Sequence, residues 1–172
     1  METDKSIVMV VAQKDFQSDE YAIPRQIFEQ AGFGVRVASS QSGECYGSSG
    51  ETIYADLNFD GINVEDFDAV VFVGGPGTEE LIKDSGAAEI AKVFSEQNKL
   101  VSAICWAPSV LARAGIIKGK RITAWGESKA DIEAAGGIFT GEKITVDGLI
   151  VTANGPSSAG DFAQKVVNLL SD

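Results

Sequence analysis

Cys105 stands where an apolar run, residues 100–104, passes directly into a helical pattern, so its thiol lies on a strand-to-helix turn at the carboxyl edge of a sheet. Such a turn is too tight for large side chains two positions before and after the central residue, and those positions hold Ala103 and Ala107. A helix starting behind the thiol offers unpaired N–H groups and about half a positive charge, which favours a thiolate. Pro108 falls in the first turn of that helix, where a missing N–H does no harm. Nucleophilic attack by sulfur is the chemistry this arrangement permits. The usual proton acceptor for such a thiol is histidine, and the chain has none. Cys105 is therefore either a reactive thiol that works without an imidazole or one more buried cysteine, the common fate of that residue.

Other residues point to the same edge. Gly74, Gly75, Pro76 and Gly77 close a second apolar strand, 69–73. The N–H of Gly75 with that of Trp106 would form an oxyanion hole, each donor worth about 3 kcal/mol. No Gly-Lys-Ser/Thr follows, so the glycines are not a phosphate loop. Trp106, next to the thiol, is expected to shape a narrow apolar entrance, although a tryptophan can equally fill core or an interface. Cys45 sits in a Gly/Ser-rich stretch and is expected at the surface or an interface.

The elements that must hold these residues alternate. Residues 6–12 and 69–73 are continuous apolar runs of strand length, as strands buried on both faces should be. Asp19 and Glu20 open a helix with Ile23, Ile27, Phe28 and Ala31 at helical spacing, ended by Gly32. A strand at 34–39 and a short hairpin around 45–46 and 52–54 follow. A helix over 78–98, broken near Ser85 and Gly86, precedes strand 100–104 and a helix over 106–114 closed by Gly115. Beyond these lie a strand at 121–124, a helix at 127–135, strand pieces at 138–140, 143–146 and 148–152, and a last helix at 157–170. This alternation predicts one α/β domain over 1–172, doubly wound, its mainly parallel sheet covered by helices on both faces. In such sheets ligands bind beyond the carboxyl ends of the strands, where Gly75 and Cys105 both fall.

Composition narrows the function. The chain has 172 residues with 25 acidic and 14 basic side chains, a formal charge of −11, which argues against nucleic acid and anionic membranes as partners. The cluster Lys118, Lys120 and Arg121 is read as a solvated turn. No apolar run approaches the ~18 residues that span a bilayer, and the polar start at 1–5 is not a signal peptide. Two cysteines 60 positions apart form neither a metal cage nor a disulfide framework, so a cytoplasmic protein with reduced thiols, no metal and no cofactor is expected.

The strand and glycines at 73–75, Ala103-Ile-Cys105, Pro108, Ala114-Gly115 with Lys118-Gly119, the run 146–152 and Gly155-Pro156 together resemble the ThiJ/PfpI family, nearly end to end. The resemblance implies a flavodoxin-like fold with a nucleophile elbow, a homodimer or larger assembly, and Cys105 as the reactive cysteine. It implies that Glu20 hydrogen-bonds the thiol from the first strand–helix loop. It also implies that Glu79 is the acidic residue some members present to a neighbouring subunit's site. Where those members have Cys-His, this chain has Cys105-Trp106. Where the deglycase branch has a histidine after the next strand, it has Trp125.

A Cys105–Glu20 pair can still operate. Two charges about 4 Å apart at an effective dielectric near 20 repel by about 4 kcal/mol, roughly three pK units. The pair should therefore hold a single proton over a broad pH range, with the proton expected on Glu20. The reading this supports is glyoxalase- or deglycase-like chemistry on small reactive carbonyls. Cys105 would be the nucleophile, Glu20 the proton partner, and Gly75 with Trp106 the oxyanion donors. The alternative is a redox-responsive protein whose partner is an oxidant and whose Cys105 becomes sulfenate or sulfinate. A peptidase or amidase rests on family naming alone and lacks the histidine.

Overall fold

The computed structural model describes residues 4–172, and the reading made for residues 1–3 falls outside them. The first half of the chain runs β1 (Ser6–Val10), β2 (Lys14–Phe16), α1 (Ser18–Gln30), β3 (Gly34–Ser39), β4 (Gly43–Gly47), β5 (Thr52–Ala55), β6 (Leu57–Asn58) and β7 (Ala69–Phe72). It continues with α2 (Thr78–Lys83), α3 (Ser85–Glu96), β8 (Leu100–Ile104), α4 (Pro108–Ala114), β9 (Arg121–Ile122) and α5 (Lys129–Ala134). Last come β10 (Ile138–Phe139), β11 (Ile144–Asp147), β12 (Ile150–Ala153) and α6 (Ala159–Ser171). Seven strands form the central sheet in the order β11-β12-β8-β7-β1-β3-β6, and only the β11/β12 pairing is antiparallel. The doubly wound reading holds.

The two faces of the sheet divide the apolar strands residue by residue. Ile7, Met9 and Val11 join Phe28, Phe162 and Val166 beneath α1 and α6. Val8, Val10 and Ala12 join Phe94, Ala91 and Leu111 beneath α3 and α4. Because alternate side chains are buried on opposite faces, β1 has to read as an unbroken apolar run. The register pairs Val10 with Phe72 and Phe72 with Ala103, so the carboxyl ends of β1, β7 and β8 lie level. Gly74 and Cys105 leave the sheet side by side.

Several local expectations shift. The residues of α1 that face inward are Glu20, Pro24 and Phe28, four apart, together with Tyr21, while Ile23 is exposed at 37%. A carboxylate on the buried face was invisible to a hydrophobic count. The break between α2 and α3 falls at Asp84, whose side chain accepts from Gly86 N–H at 2.8 Å and caps the second helix. The helix after Cys105 starts only at Pro108, because residues 105–107 are spent on the turn, with Ala107 N–H donating to the Ile104 carbonyl.

The Gly/Ser-rich stretch forms the expected hairpin, β4 with β5. It adds to β2, a strand absent from the sequence reading, to make a separate three-stranded sheet. That sheet buries Cys45 fully, in the cluster holding Phe16, Tyr21 and Ala55, so the expectation of a surface or interface cysteine is wrong. The pleat of β4 turns Cys45 inward and its neighbours Glu44 and Tyr46 outward. Among the described residues no helix is long and apolar enough to cross a membrane.

Candidate active site

Cys105 has φ of 65°, the left-handed region that non-glycine residues rarely occupy. The backbone on both sides holds it there. Its N–H donates to the Ala153 carbonyl of β12 at 2.9 Å, and its carbonyl accepts from Trp125 N–H at 2.7 Å. Ala103 and Ala107 are both completely buried, as the elbow requires. The half-buried thiol thus projects from the end of β8 on a strained, over-determined turn.

Glu20 reaches the same point from α1. Gln17 caps that helix by accepting from Glu20 N–H at 2.8 Å, which sets Glu20 in the first turn of the helix rather than in the preceding loop. Its side chain is fully buried, and Oε1 accepts from Gly74 N–H at 3.0 Å. A Cβ placed on Gly74 would lie 2.6 Å from that oxygen, 2.6 Å from the Ile104 carbonyl and 2.8 Å from Cys105 Cβ. Carboxyl, strand end and thiol side chain therefore converge over a residue that has to be glycine. Gly75, at φ of 112°, brings the chain against the Asp15 carbonyl, where a Cβ would come within 2.8 Å.

The electrostatics follow from that convergence. Burial, the largest cause, pushes Glu20 up to about 7 against the opposing pull of the Gly74 N–H and the thiol. Burial and the Glu20 charge push Cys105 up to about 12, while the N–H groups of Trp106 and Gly75 at the sulfur pull it down. The two values belong to one pair: it sheds a first proton near 7 and keeps the last to about 12. A carboxyl and a thiol both pushed up are the directions expected of a pair that shares a single proton. Its proton was expected on Glu20, but burial of the sulfur and repulsion from the carboxylate favour sulfur, with only two amides favouring the thiolate tautomer. The start of α4 offers the sulfur no free amide, because Pro108 has no N–H and those of Ser109 and Val110 donate to the Trp106 and Ala107 carbonyls.

The structure brings Cys105, Glu20, Gly75 and Trp106 together. Trp125 joins them through its bond to the Cys105 carbonyl and through its ring, which meets that of Trp106 edge-to-face at 5.7 Å and 60°. Glu79 stands apart on α2, exposed and ion-paired with Lys83 at 3.2 Å. It lines a cleft of about 690 Å³ beside Ala12, Asp15 and Leu81, and Cys105 is not among the walls of that cleft. Two contributors were not singled out from the sequence: Gly74 as donor to Glu20, and Gln17 as its cap. The spacing of Gln17 three residues before Glu20 was the available signal.

An elbow cysteine paired with a buried carboxylate on a doubly wound sheet defines a class of α/β protein, and the comparisons agree with it. The model of the DJ-1/PfpI family matches residues 5–169. A deglycase of Pyrococcus abyssi is 32% identical over 163 residues, covering 95% of this chain and 98% of the relative. An uncharacterised protein of Methanocaldococcus jannaschii is 38% identical over 167 residues, covering 95% and 82%. The crystal structure of a ThiJ/PfpI domain protein from Brachyspira murdochii superposes with a TM-score of 0.95 at 34% identity, covering 99% of this chain and 98% of that one. The chain belongs to the DJ-1/PfpI family.

Proposed function

We propose that this chain is a cysteine-dependent enzyme acting on small reactive carbonyl compounds, with Cys105 as nucleophile and Glu20 as proton partner. The observation that carries the reading is the meeting of the left-handed Cys105 and the fully buried Glu20 over Gly74. The thiolate tautomer, with the proton on Glu20, adds to an aldehyde carbon and forms a C–S bond. The carbonyl electron pair moves to oxygen, beside the Gly75 and Trp106 N–H groups, and that oxygen takes the Glu20 proton. The product is a hemithioacetal. With an α-oxo aldehyde, transfer of its hydrogen to the adjacent carbonyl carbon yields a thioester, and water then releases a 2-hydroxy acid. The sum adds one water and needs no oxidant. The deglycase name of the Pyrococcus relative supports carbonyl chemistry. A cytoplasmic location and assembly into a homodimer or larger homo-oligomer belong to the same proposal.

Methylglyoxal consumption tests it, followed for the wild type, Cys105→Ser and Glu20→Gln. Turnover lost in both variants supports the reading, and a wild-type rate equal to buffer alone overturns it. A second reading, oxidation of Cys105 by a peroxide to sulfenate, is favoured by the half-buried thiol, since that reaction needs access and thiolate but no histidine. Intact mass after mild peroxide decides it: a gain of one oxygen at Cys105 supports it, and an unchanged mass removes it.

A further inference from the structure

The chain has two tryptophans, and both stand at Cys105. Trp106 is the next residue, half-buried, and lends its own N–H to the sulfur. Trp125 arrives from beyond β9, where its backbone N–H donates to the Cys105 carbonyl and ties its main chain to the elbow. Edge-to-face pairing at 5.7 Å uses the edge of one ring and a single face of the other, leaving the remaining faces uncovered by the pair. Trp125 is 39% exposed, a large cost in apolar surface for a site that has buried its carboxylate completely.

Charge decides what such a shelf can accept. The chain carries a formal −11, and one of those charges, the buried Glu20 carboxylate, stands beside the sulfur once ionised above pH 7. Carboxylate or phosphate groups on a substrate would be repelled, whereas a neutral planar group gains both apolar contact and ring stacking.

We propose that Trp106 and Trp125 form a stacking shelf that selects α-oxo aldehydes bearing an aryl group, phenylglyoxal being the simplest, over those bearing a methyl group. The proposal rests on the reading of Cys105 as a carbonyl nucleophile, and the aryl group itself takes no part in bond making. Its contribution is to hold the aldehyde carbon against the sulfur. One stacked ring corresponds to about tenfold in kcat/KM.

Two measurements test it separately from the chemistry. The wild type is expected to favour phenylglyoxal over methylglyoxal by about tenfold. In Trp125→Ala that ratio falls toward unity through a raised KM for phenylglyoxal, and in Trp125→Phe, which keeps a ring, most of the ratio returns. A wild-type ratio near one, or a ratio untouched by Trp125→Ala, overturns the shelf while leaving carbonyl turnover intact. The second measurement needs no turnover: acetophenone titrated into Cys105→Ala should quench tryptophan emission saturably, and acetone should not. Saturable quenching that disappears in Trp125→Ala supports the shelf even if neither aldehyde is consumed. Absence of saturable quenching overturns it.

Discussion

Replacing Glu20 with glutamine should change the pH dependence of stability between pH 4.5 and 8. In the folded protein the carboxyl is raised from 4.5 to about 7, burial being the main cause. Between those two values the native state holds a proton that the unfolded chain has released. The stabilisation is therefore complete below about 4.5 and is lost as pH rises through 7. Each unit is worth about 1.4 kcal/mol, so this shift amounts to about 3 kcal/mol. Glu20 is completely buried, so solvent screening does not reduce the figure. Glutamine keeps the shape and a carbonyl oxygen for the Gly74 N–H but cannot ionise. Urea unfolding of both proteins at pH 4.5, 6 and 8, followed by circular dichroism, gives the difference directly, and titrations common to both cancel. Relative to wild type, the variant should gain about 3 kcal/mol between pH 4.5 and 8. A difference that stays constant within 1 kcal/mol would refute the reasoning, because it would mean that no carboxylate is forced to ionise in the interior.

Three further outcomes follow from the same geometry. Iodoacetamide alkylation of Cys105 should rise as the pair loses its first proton near pH 7. In Glu20→Gln the rise is displaced to higher pH, since burial still raises the thiol and no carboxyl remains to take its proton. Gly74→Ala drives a Cβ to within 2.6 Å of Glu20 Oε1 and of the Ile104 carbonyl, and should destabilise by about 1–3 kcal/mol in thermal or urea unfolding while slowing that alkylation. Native protein should take up one equivalent of iodoacetamide by intact mass, and two when unfolded, because Cys45 is completely buried.

Much of this was legible in the chain. The unbroken apolar runs that became β1, β7 and β8 identify strands covered on both faces, since only such strands have no polar side to present. Ala103 and Ala107 marked the elbow because the constraint is local: a tight turn excludes bulk two residues away, whatever the rest of the fold does. Cys45 was misplaced for the opposite reason. Its burial depends on a three-stranded sheet whose first member, β2, is three residues long and carries two exposed polar side chains, a pattern no periodicity argument would take for a strand.

What the sequence determined by itself, then, was the class of fold and the position of the thiol on it, because both arise from periodicity and from the sterics of neighbouring residues. It also determined that no imidazole would take part. Only the tertiary structure decided that Glu20 is fully buried, that Gly74 is the point where it meets Cys105, and that Trp106 and Trp125 pack on one another. Those contacts join residues some 20 to 85 positions apart through the level ends of β7 and β8 and the cap of α1. The proton balance of the pair is tertiary as well. The residue types name an acid and a thiol, but desolvation and three backbone amides, all products of packing, set how strongly each holds its proton.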